Sequence, residues 1–272
     1  MITISGTVLH QLRTIVRKGL GVSKRRPGPN INFDANHAGL RIRVITDNSR
    51  IEHFVAGQFA SCKFAASFDL FRECDAGKAS EVSIQPEGDQ VVASWVQAGI
   101  PQTVRSPVQE PDDVPTTPDS WSSNSEELLT AIQTACGTTD RESGRYALSH
   151  LRLRGSDGQI AATDGRQLLA IGGFDFPWEG EILMPASKVF DCADLSGHRG
   201  VDVGVAGDWA VIRTGPWALW LKIERTKRFP EIDSMLQDSS QAPTLLTVSE
   251  PDAKFLLDSL KHLPGDRQAR RR

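Results

Sequence analysis

A domain-length repeat is the feature that most constrains this chain. Three amphipathic helix starts recur, and they open at Ser5, Ser123 and Ser249. Apolar residues follow each serine at spacings of three and four, the period of one helix face. A serine there can cap the helix, and Glu126 and Asp252 lie three residues after the second and third serines, as in a capping box. The starts are 118 (5 to 123) and 126 (123 to 249) residues apart, which predicts repeated domains rather than short solenoid units.

Short apolar or alternating runs follow the first two helices and predict β-strands. The first set comprises 31–34, 40–46, 50–56, 82–86 and 91–96, with a second helix at 66–75. The second set comprises 145–154, 159–163, 167–172, 180–184, 201–205, 209–214 and 217–223, with a second helix at 186–195. The repeated order of helix, strands, helix and strands predicts an α+β fold of tandem domains built on antiparallel sheet.

Proline and acidic residues mark the boundary between the two predicted domains. Residues 106–123 contain four prolines and four acidic residues, a composition typical of an extended linker. We therefore expect a first domain at 1–105, a linker at 106–122 and a second domain at 123–240. The third helix start, in 241–272, predicts either the start of a truncated third domain or a C-terminal helix.

The overall composition excludes several protein classes. Hydrophobic residues make up 39% and charged residues 24% of the chain, as in ordinary globular proteins. No apolar run is long enough to span a membrane, and the first residues do not resemble a signal peptide. The four cysteines form no C-x-x-C pair, which favours reduced thiols in the cytoplasm over disulfides or a metal site.

Charge is unevenly distributed although the net value is only −3. Residues 1–105 carry 13 basic and 9 acidic residues, a balance of +4, whereas 106–144 carry one basic and eight acidic residues, a balance of −7. Any contact with nucleic acid should therefore use a local basic patch rather than bulk charge.

Four motifs occur in a specific order in the second predicted domain. They are R-Y-A-L at 145–148, A-T-D-G-R-Q-L at 162–168, E-I-L-M-P-A-S-K-V-F at 181–190 and K-R-F-P-E-I-D-S-M-L at 227–236. Together they resemble the middle domain of the bacterial DNA polymerase III β subunit, the sliding clamp family. The resemblance covers about 123–236, and the first hundred residues follow the family by pattern only.

The resemblance implies a DNA clamp fold, in which each domain has two inward helices backed by antiparallel sheet. It also implies a cytoplasmic DNA replication protein without catalytic activity, cofactor or metal. Such a processivity factor closes into a ring around duplex DNA and tethers the replicative polymerase, and a clamp loader is a further expected partner. Rings of this family have six domains, so a dimer or a trimer is expected. The alternative is a clamp-fold scaffold or regulatory protein that forms no ring.

The expected DNA contacts are basic residues, because binding without base readout needs charge at the phosphates. Arg26 and Pro27 match an R-P dipeptide that faces the duplex in clamps, whereas Glu142 is acidic where the family has a polar residue. The candidate DNA-binding residues are Lys24, Arg25, Arg26, Arg13, Arg17, Arg72, Lys188 and Arg199. Lys18 shares the helix face of Arg17.

Clamps also hold short partner peptides in an apolar cleft, and the resemblance extends to part of that cleft. Glycine in the Asp164–Gly165 turn permits close backbone approach, and leucines supply apolar walls. The matching candidates are Leu148, Thr163, Gly165, Arg166 and Leu168. The usual H-R after A-T-D-G is Arg166-Gln167 here, and Gln237 replaces an expected proline.

Little in the sequence indicates catalysis. The six histidines form no H-E-x-x-H pattern, and no G-x-S-x-G elbow is present. A metal-dependent hydrolase built on acidic turns remains the rival interpretation. Its carboxylates would come from Asp157, Asp164, Asp175 and Asp191, although their spacing fits turns better.

Overall fold

The structure is a computed structural model that describes residues 1–21, 28–74, 76–140, 146–236 and 247–260. It divides into two compact units, Met1–Pro230 and Glu231–Arg272. In the second unit, a 3₁₀ turn spans Asp233–Met235 and a helix spans Glu250–Leu260. Ser249 accepts a hydrogen bond from the N–H of Asp252 at 3.3 Å and donates one to its carboxylate at 2.7 Å, so the predicted serine cap is confirmed.

The first unit contains sixteen strands and a few short helices in its described residues. The strands are β1 (Ile2–Ser5), β2 (Asn30–Asn36), β3 (Gly39–Ile45), β4 (Ser49–Val55), β5 (Cys62–Ser67), β6 (Glu81–Glu87), β7 (Gln90–Gln97), β8 (Ile100–Gln109), β9 (Trp121–Asn124), β10 (His150–Arg154), β11 (Gln159–Thr163), β12 (Leu168–Ile171), β13 (Glu181–Pro185), β14 (Val201–Ala206), β15 (Trp209–Thr214) and β16 (Trp217–Lys222). The helices are α1 (Gly6–Gly19), α2 (Asp69–Glu73) and α3 (Glu127–Gly137), and two 3₁₀ turns are η1 (Lys188–Asp191) and η2 (Ala193–Leu195).

All strand pairings are antiparallel, and the two halves of the first unit repeat one plan. A twelve-stranded sheet runs β1-β6-β7-β8-β5-β2-β3-β4-β16-β15-β14-β9, and a four-stranded sheet runs β12-β11-β10-β13. The order β1-β6-β7-β8 corresponds to β9-β14-β15-β16, and β5-β2-β3-β4 corresponds to β13-β10-β11-β12. The expected α+β class with antiparallel sheet is therefore confirmed.

The two halves meet where β4 pairs with β16. Five residue pairs join these strands, from Ser49 opposite Leu221 to His53 opposite Trp217. The His53 and Trp217 rings are 4.3 Å apart, edge to face, and both side chains are buried. One sheet thus continues from the first half into the second.

The proline-rich segment between the halves lies across this continuous sheet. Asn32 donates to the Asp112 carboxylate and accepts from the Asp112 N–H, both at 2.8 Å. The Trp220 indole N–H donates to the Thr116 carbonyl at 2.9 Å. Strands β8 and β9 occupy the two ends of the predicted linker, so its middle is an extended segment held at both halves.

Local boundaries differ from the sequence predictions at several places. Ser5 caps α1 as predicted, accepting from the Val8 N–H at 3.3 Å. The prediction that Ser123 caps the second helix is wrong, because Ser123 lies in β9 and donates to Asp202 at 2.7 Å; α3 begins at Glu127. The predicted helices at 66–75 and 186–195 are also too long, since β5 and the break at Cys192 occupy parts of them.

Helices α1 and α2 contact strands of the twelve-stranded sheet, and α3 contacts β10, β11 and β12 of the four-stranded sheet. Leu12 of α1, Phe71 of α2, Ile132 of α3 and Val189 of η1 all belong to one buried hydrophobic core. The second half adds a smaller cluster around Trp220, with Trp121 and Trp209 packed against it. Polar residues on the helices therefore face away from the sheets.

Candidate functional site

Four short elements form a row on the sheet. Helix α1 contacts α2 on one side and η1 on the other, and η1 in turn contacts α3. A Cβ added to Gly19 would lie about 3.1 Å from Val189, so α1 and η1 approach closely. The row α2-α1-η1-α3 therefore joins the helix surfaces of both halves.

The centre of the row carries an exposed group of cations. Arg17 and Lys188 are exposed on the neighbouring elements α1 and η1. Lys18 donates to the Asp191 carbonyl at 3.0 Å, and Gln11 donates to the Asp194 carboxylate at 3.1 Å. These contacts tie the first half to the second and bring predicted DNA-binding residues from both halves together.

The remaining candidate DNA-binding residues are dispersed. Arg13 is half-buried and donates to the Cys74 carbonyl at 3.2 Å, whereas Arg72 forms an ion pair with Asp69. Arg199 is exposed after η2. The cluster of Lys24, Arg25 and Arg26 lies outside the described residues, as does Glu142.

The α3 end of the row has the opposite electrostatic character. Helix α3 contains no Lys or Arg, and Glu126 and Glu127 are exposed at its start. A cavity of about 180 Å³ lies between α3 and the η1–η2 segment, and both glutamates line it. The row is therefore basic on α1, carries Lys188 beside Asp191 on η1, and is acidic at α3.

The turn between β11 and β12 is held by the side chains that the sequence singled out. Thr163 is buried, donates to the Gln167 carbonyl at 2.7 Å and accepts from the Gly165 N–H at 3.0 Å. Asp164 accepts from the N–H groups of Arg166 and Gln167, and these bonds lower the pKa of its carboxyl. Gly165 has a φ of +87°, which glycine adopts without a steric cost.

The predicted partner-peptide residues lie together around this turn. A Cβ added to Gly165 would be 3.9 Å from Leu148, and Leu168 pairs with Thr163 across the hairpin. Arg166 is exposed at the tip, while Leu148 and Leu168 are half-buried. The sequence wrongly predicted a strand through Tyr146, which instead is 61% exposed with a φ of +51° in a turn before β10.

Two of the four aspartates that the sequence offers as metal ligands, Asp157 and Asp164, make other side-chain interactions. Asp157 is bound to Arg154 at 2.6 Å, and that hydrogen bond lowers the pKa of its carboxyl. Asp164 caps its own turn, as described above. Among the described residues, no group of three or more His, Cys, Asp and Glu side chains converges as metal ligands. The same residues include no helix long and apolar enough to cross a membrane.

Comparisons with known proteins give matches at the level of structure. No family model matches the sequence, and no curated protein shows significant sequence similarity. The DNA polymerase III β subunit of Pseudomonas aeruginosa matches with a TM-score of 0.68 and 16% identity over 88% of this chain and 69% of that one. The Helicobacter pylori β clamp bound to a DNA ligase peptide matches with a TM-score of 0.67 and 12% identity over 88% and 70%. The Thermotoga maritima β subunit matches with a TM-score of 0.65 and 16% identity over 87% and 67%.

The chain has the fold of a bacterial sliding clamp. At these identities the match establishes the clamp fold alone, and it confirms the resemblance that four motifs in the second half indicated. The tandem clamp domains correspond to the two repeated halves of the first unit.

Sequence reasoning missed the contacts that unite the two clamp-like halves. Lys18 and Gln11 gave no signal beyond their place on a helix, because their partners lie 173 and 183 residues away. The β4–β16 pairing also left no local signature. This pairing becomes recognisable only when the two halves are compared strand by strand, with β8 equivalent to β16 and β4 equivalent to β12.

Proposed function

We propose that this chain is a sliding-clamp processivity factor that encircles duplex DNA without sequence specificity and tethers the replicative DNA polymerase. It acts as a non-catalytic subunit in the cytoplasm. The clamp fold and the cations on the helix row support this proposal. A ring cannot leave DNA sideways, so weak phosphate contacts suffice and still permit sliding.

The observation that carries the proposal is a pair of unfilled strand edges. Within the chain, β4 pairs with β16 and joins one domain to the next. By the repeat, β12 is equivalent to β4, and β8 is equivalent to β16. Among the described residues β12 pairs only with β11, and β8 pairs with β7 along its length but with β5 only through Val108 and Gln109.

These edges suit a head-to-tail assembly. Pairing β12 of one copy with β8 of the next would repeat the β4–β16 junction, and exposed edges readily accept such a strand. Heterologous contacts of this kind generate a ring when the rotation closes. Three copies of a chain with two clamp domains supply the six domains of a clamp ring.

The proposed DNA contacts are the cations of the central row, with Lys24, Arg25 and Arg26 added from the sequence. Arg17 and Lys188 are exposed on α1 and η1, two elements that contact each other. Exposed cations neutralise phosphates without reading bases. The acidic start of α3 restricts the contact to α1, α2 and η1.

The turn around Gly165 is the proposed site for partner peptides, including those of the polymerase and the clamp loader. The Helicobacter pylori clamp with the same fold is bound to a DNA ligase peptide. Leu148 and Leu168 supply apolar contacts beside a turn whose backbone is fixed by Thr163 and Asp164.

Retention on circular DNA tests the ring. The chain is incubated with nicked plasmid with and without a clamp loader, separated by gel filtration, and the plasmid is then linearised. We expect co-elution with the circle and loss on linearisation. Equal retention on circular and linear DNA, or none on either, would exclude topological binding.

A charge-reversal pair tests the proposed DNA surface. Arg17→Glu with Lys188→Glu should lessen both the DNA association and its dependence on salt, because fewer counterions are released. Lys63→Glu, on an exposed position of β5, is the matched control. The same reversal at Lys24, Arg25 and Arg26 tests that cluster. If DNA association is unchanged by a reversal, the residues that were reversed do not bind DNA.

A clamp-fold scaffold that forms no ring is a second candidate, favoured by the glutamates of α3. Repulsion from phosphates would disfavour DNA along that helix, where Glu126 and Glu127 are exposed. A chain that binds partner peptides at the Gly165 turn but stays monomeric and is not retained on circular DNA would be such a scaffold.

A further inference from the structure

A cavity of about 500 Å³ lies at the junction of the two halves, away from the helix row. It opens between the β3–β4 turn at Asn48, the end of β16 and the segment 223–227 that follows it. His150, Pro185 and Asp208 complete its wall. The volume is in the range of ligand-binding clefts.

The carboxylates of the cavity are already engaged within the protein. Asp208 accepts from Arg225 at 2.7 Å. Glu224 accepts from the Thr226 N–H at 2.7 Å, from the Thr226 hydroxyl at 2.6 Å and from the Lys227 N–H at 3.2 Å. These hydrogen bonds, led by that of the Thr226 hydroxyl, hold the pKa of the Glu224 carboxyl at about 2. Neither carboxylate therefore needs a lysine partner.

Two cations remain over the cavity. Lys222 and Lys227 are exposed, and among the described residues neither side-chain amine has a hydrogen-bond or ion-pair partner. His150 is mostly buried in the wall, with the Ser149 hydroxyl 3.1 Å from its Nδ1. The lining thus holds three cations against two carboxylates, with the free charge on the two lysines.

The repeat indicates what kind of molecule this cavity suits. The β3–β4 turn is equivalent to the β11–β12 turn, and both begin with a Thr-Asp pair. Thr46 donates to the Ser49 carbonyl at 2.8 Å and accepts from the Ser49 N–H at 3.2 Å. The Thr163 hydroxyl likewise both donates and accepts, but its partners are Gln167 and Gly165. The turn at one wall of this cavity is therefore the counterpart of the turn at the proposed peptide site, and the lysines of the cavity come from β16 and the segment that follows it.

We propose that this cavity is a second docking site, which binds an acidic peptide segment of a partner protein through Lys222 and Lys227. None of its lining residues lies on α1, α2, α3 or η1, so the site is separate from the DNA surface. The choice of a peptide ligand rests on the proposed function, through the equivalence of the two turns. An acidic segment satisfies both amines, and the mixed lining leaves room for apolar contact with Pro185 and Ile223.

A labelled acidic peptide tests the site. The probe is an acetylated hexaglutamate carrying a neutral dye, and binding to the full chain is followed by fluorescence anisotropy with hexaglutamine as the reference peptide. Lys222→Ala with Lys227→Ala should weaken binding about tenfold, the size expected for two exposed ion pairs. Lys63→Ala, an exposed lysine on β5, should leave it unchanged.

Two further measurements distinguish peptide binding at this cavity from DNA binding. A short duplex should not displace the peptide, and the double variant should keep the DNA association of the unaltered chain. Failure of the ring experiment would leave the peptide measurement standing. No binding of hexaglutamate, equal binding by the double variant, displacement by duplex, or loss of DNA association in the double variant would each overturn the proposal.

Discussion

At the residue scale, the burial of His53 at the junction between the two halves makes the stability of the fold depend on pH. Its ring packs edge to face on Trp217, and its Nδ1 has no partner among the described residues. Burial lowers the pKa of His53 from 6.5 to about 4. The folded protein therefore holds this imidazole neutral, whereas the unfolded chain takes up a proton below its ordinary pKa.

Acid should weaken the fold through this group. The contribution of the neutral His53 ring to the free energy of unfolding is fully present above pH 6.5. It is lost as the pH falls toward about 4 and does not change further below that pH. The loss by about pH 4.5 is roughly 2 to 3 kcal/mol, at 1.36 kcal/mol for each pKa unit. Urea unfolding at pH 7 and 4.5 should therefore show a smaller difference for His53→Phe than for the unaltered chain. An equal difference would contradict the assignment.

Thr163 carries a second residue-scale prediction. Thr163→Val removes the hydroxyl that bridges Gln167 and Gly165 and leaves two backbone groups without that partner. We expect a loss of about 1 to 3 kcal/mol in unfolding free energy and weaker peptide binding at the turn. Thr117→Val, at an exposed position of the segment between the two halves, is the control. No change in either property would show that the hydroxyl does not hold the turn.

At the scale of elements, the sequence predicted most of what depends on neighbouring residues. Strands β11 and β15 were predicted at their observed bounds, because alternation and turn residues mark both ends. Strands β1, β5, β8 and β9 were missed. Strands β1 and β9 have only four residues each, and β5 and β8 do not alternate regularly between apolar and polar residues. Similarly, the peptide turn was predictable from its Asp-Gly pair, whereas the lysine cavity forms only when 48, 150 and 222–227 come together.

The extended segment at 110–120 offers an element-scale test. Trp220→Phe removes the indole N–H that holds Thr116 while keeping most of the buried ring. We expect faster cleavage after Asp112, Asp113 or Asp119 by a protease specific for acidic residues, because the segment detaches more often. Trp95→Phe is the control, since Trp95 is buried in the other core cluster and its indole N–H has no hydrogen-bond partner among the described residues. Equal cleavage rates would mean that this bond does not retain the segment.

At the scale of the whole molecule, the repeat explains which strands join the two domains and which equivalent strands are available to pair with another copy. The β4–β16 pairing joins strands of both domains in the twelve-stranded sheet, and the repeat makes β12 and β8 the counterparts of these two strands. No local pattern in the sequence specifies this, because strand order within a sheet depends on pairing across the chain. The proposed ring therefore depends on β8 and β12, because their counterparts β16 and β4 form the junction within the chain.

The most direct measurement of the central proposal is the solution mass of the chain by light scattering across a concentration series. Head-to-tail pairing of β12 with β8 predicts a stable trimer of three times 29.8 kDa that persists on dilution. A mass of 29.8 kDa at every concentration would contradict closure by these edges, and the scaffold function would then be the better account.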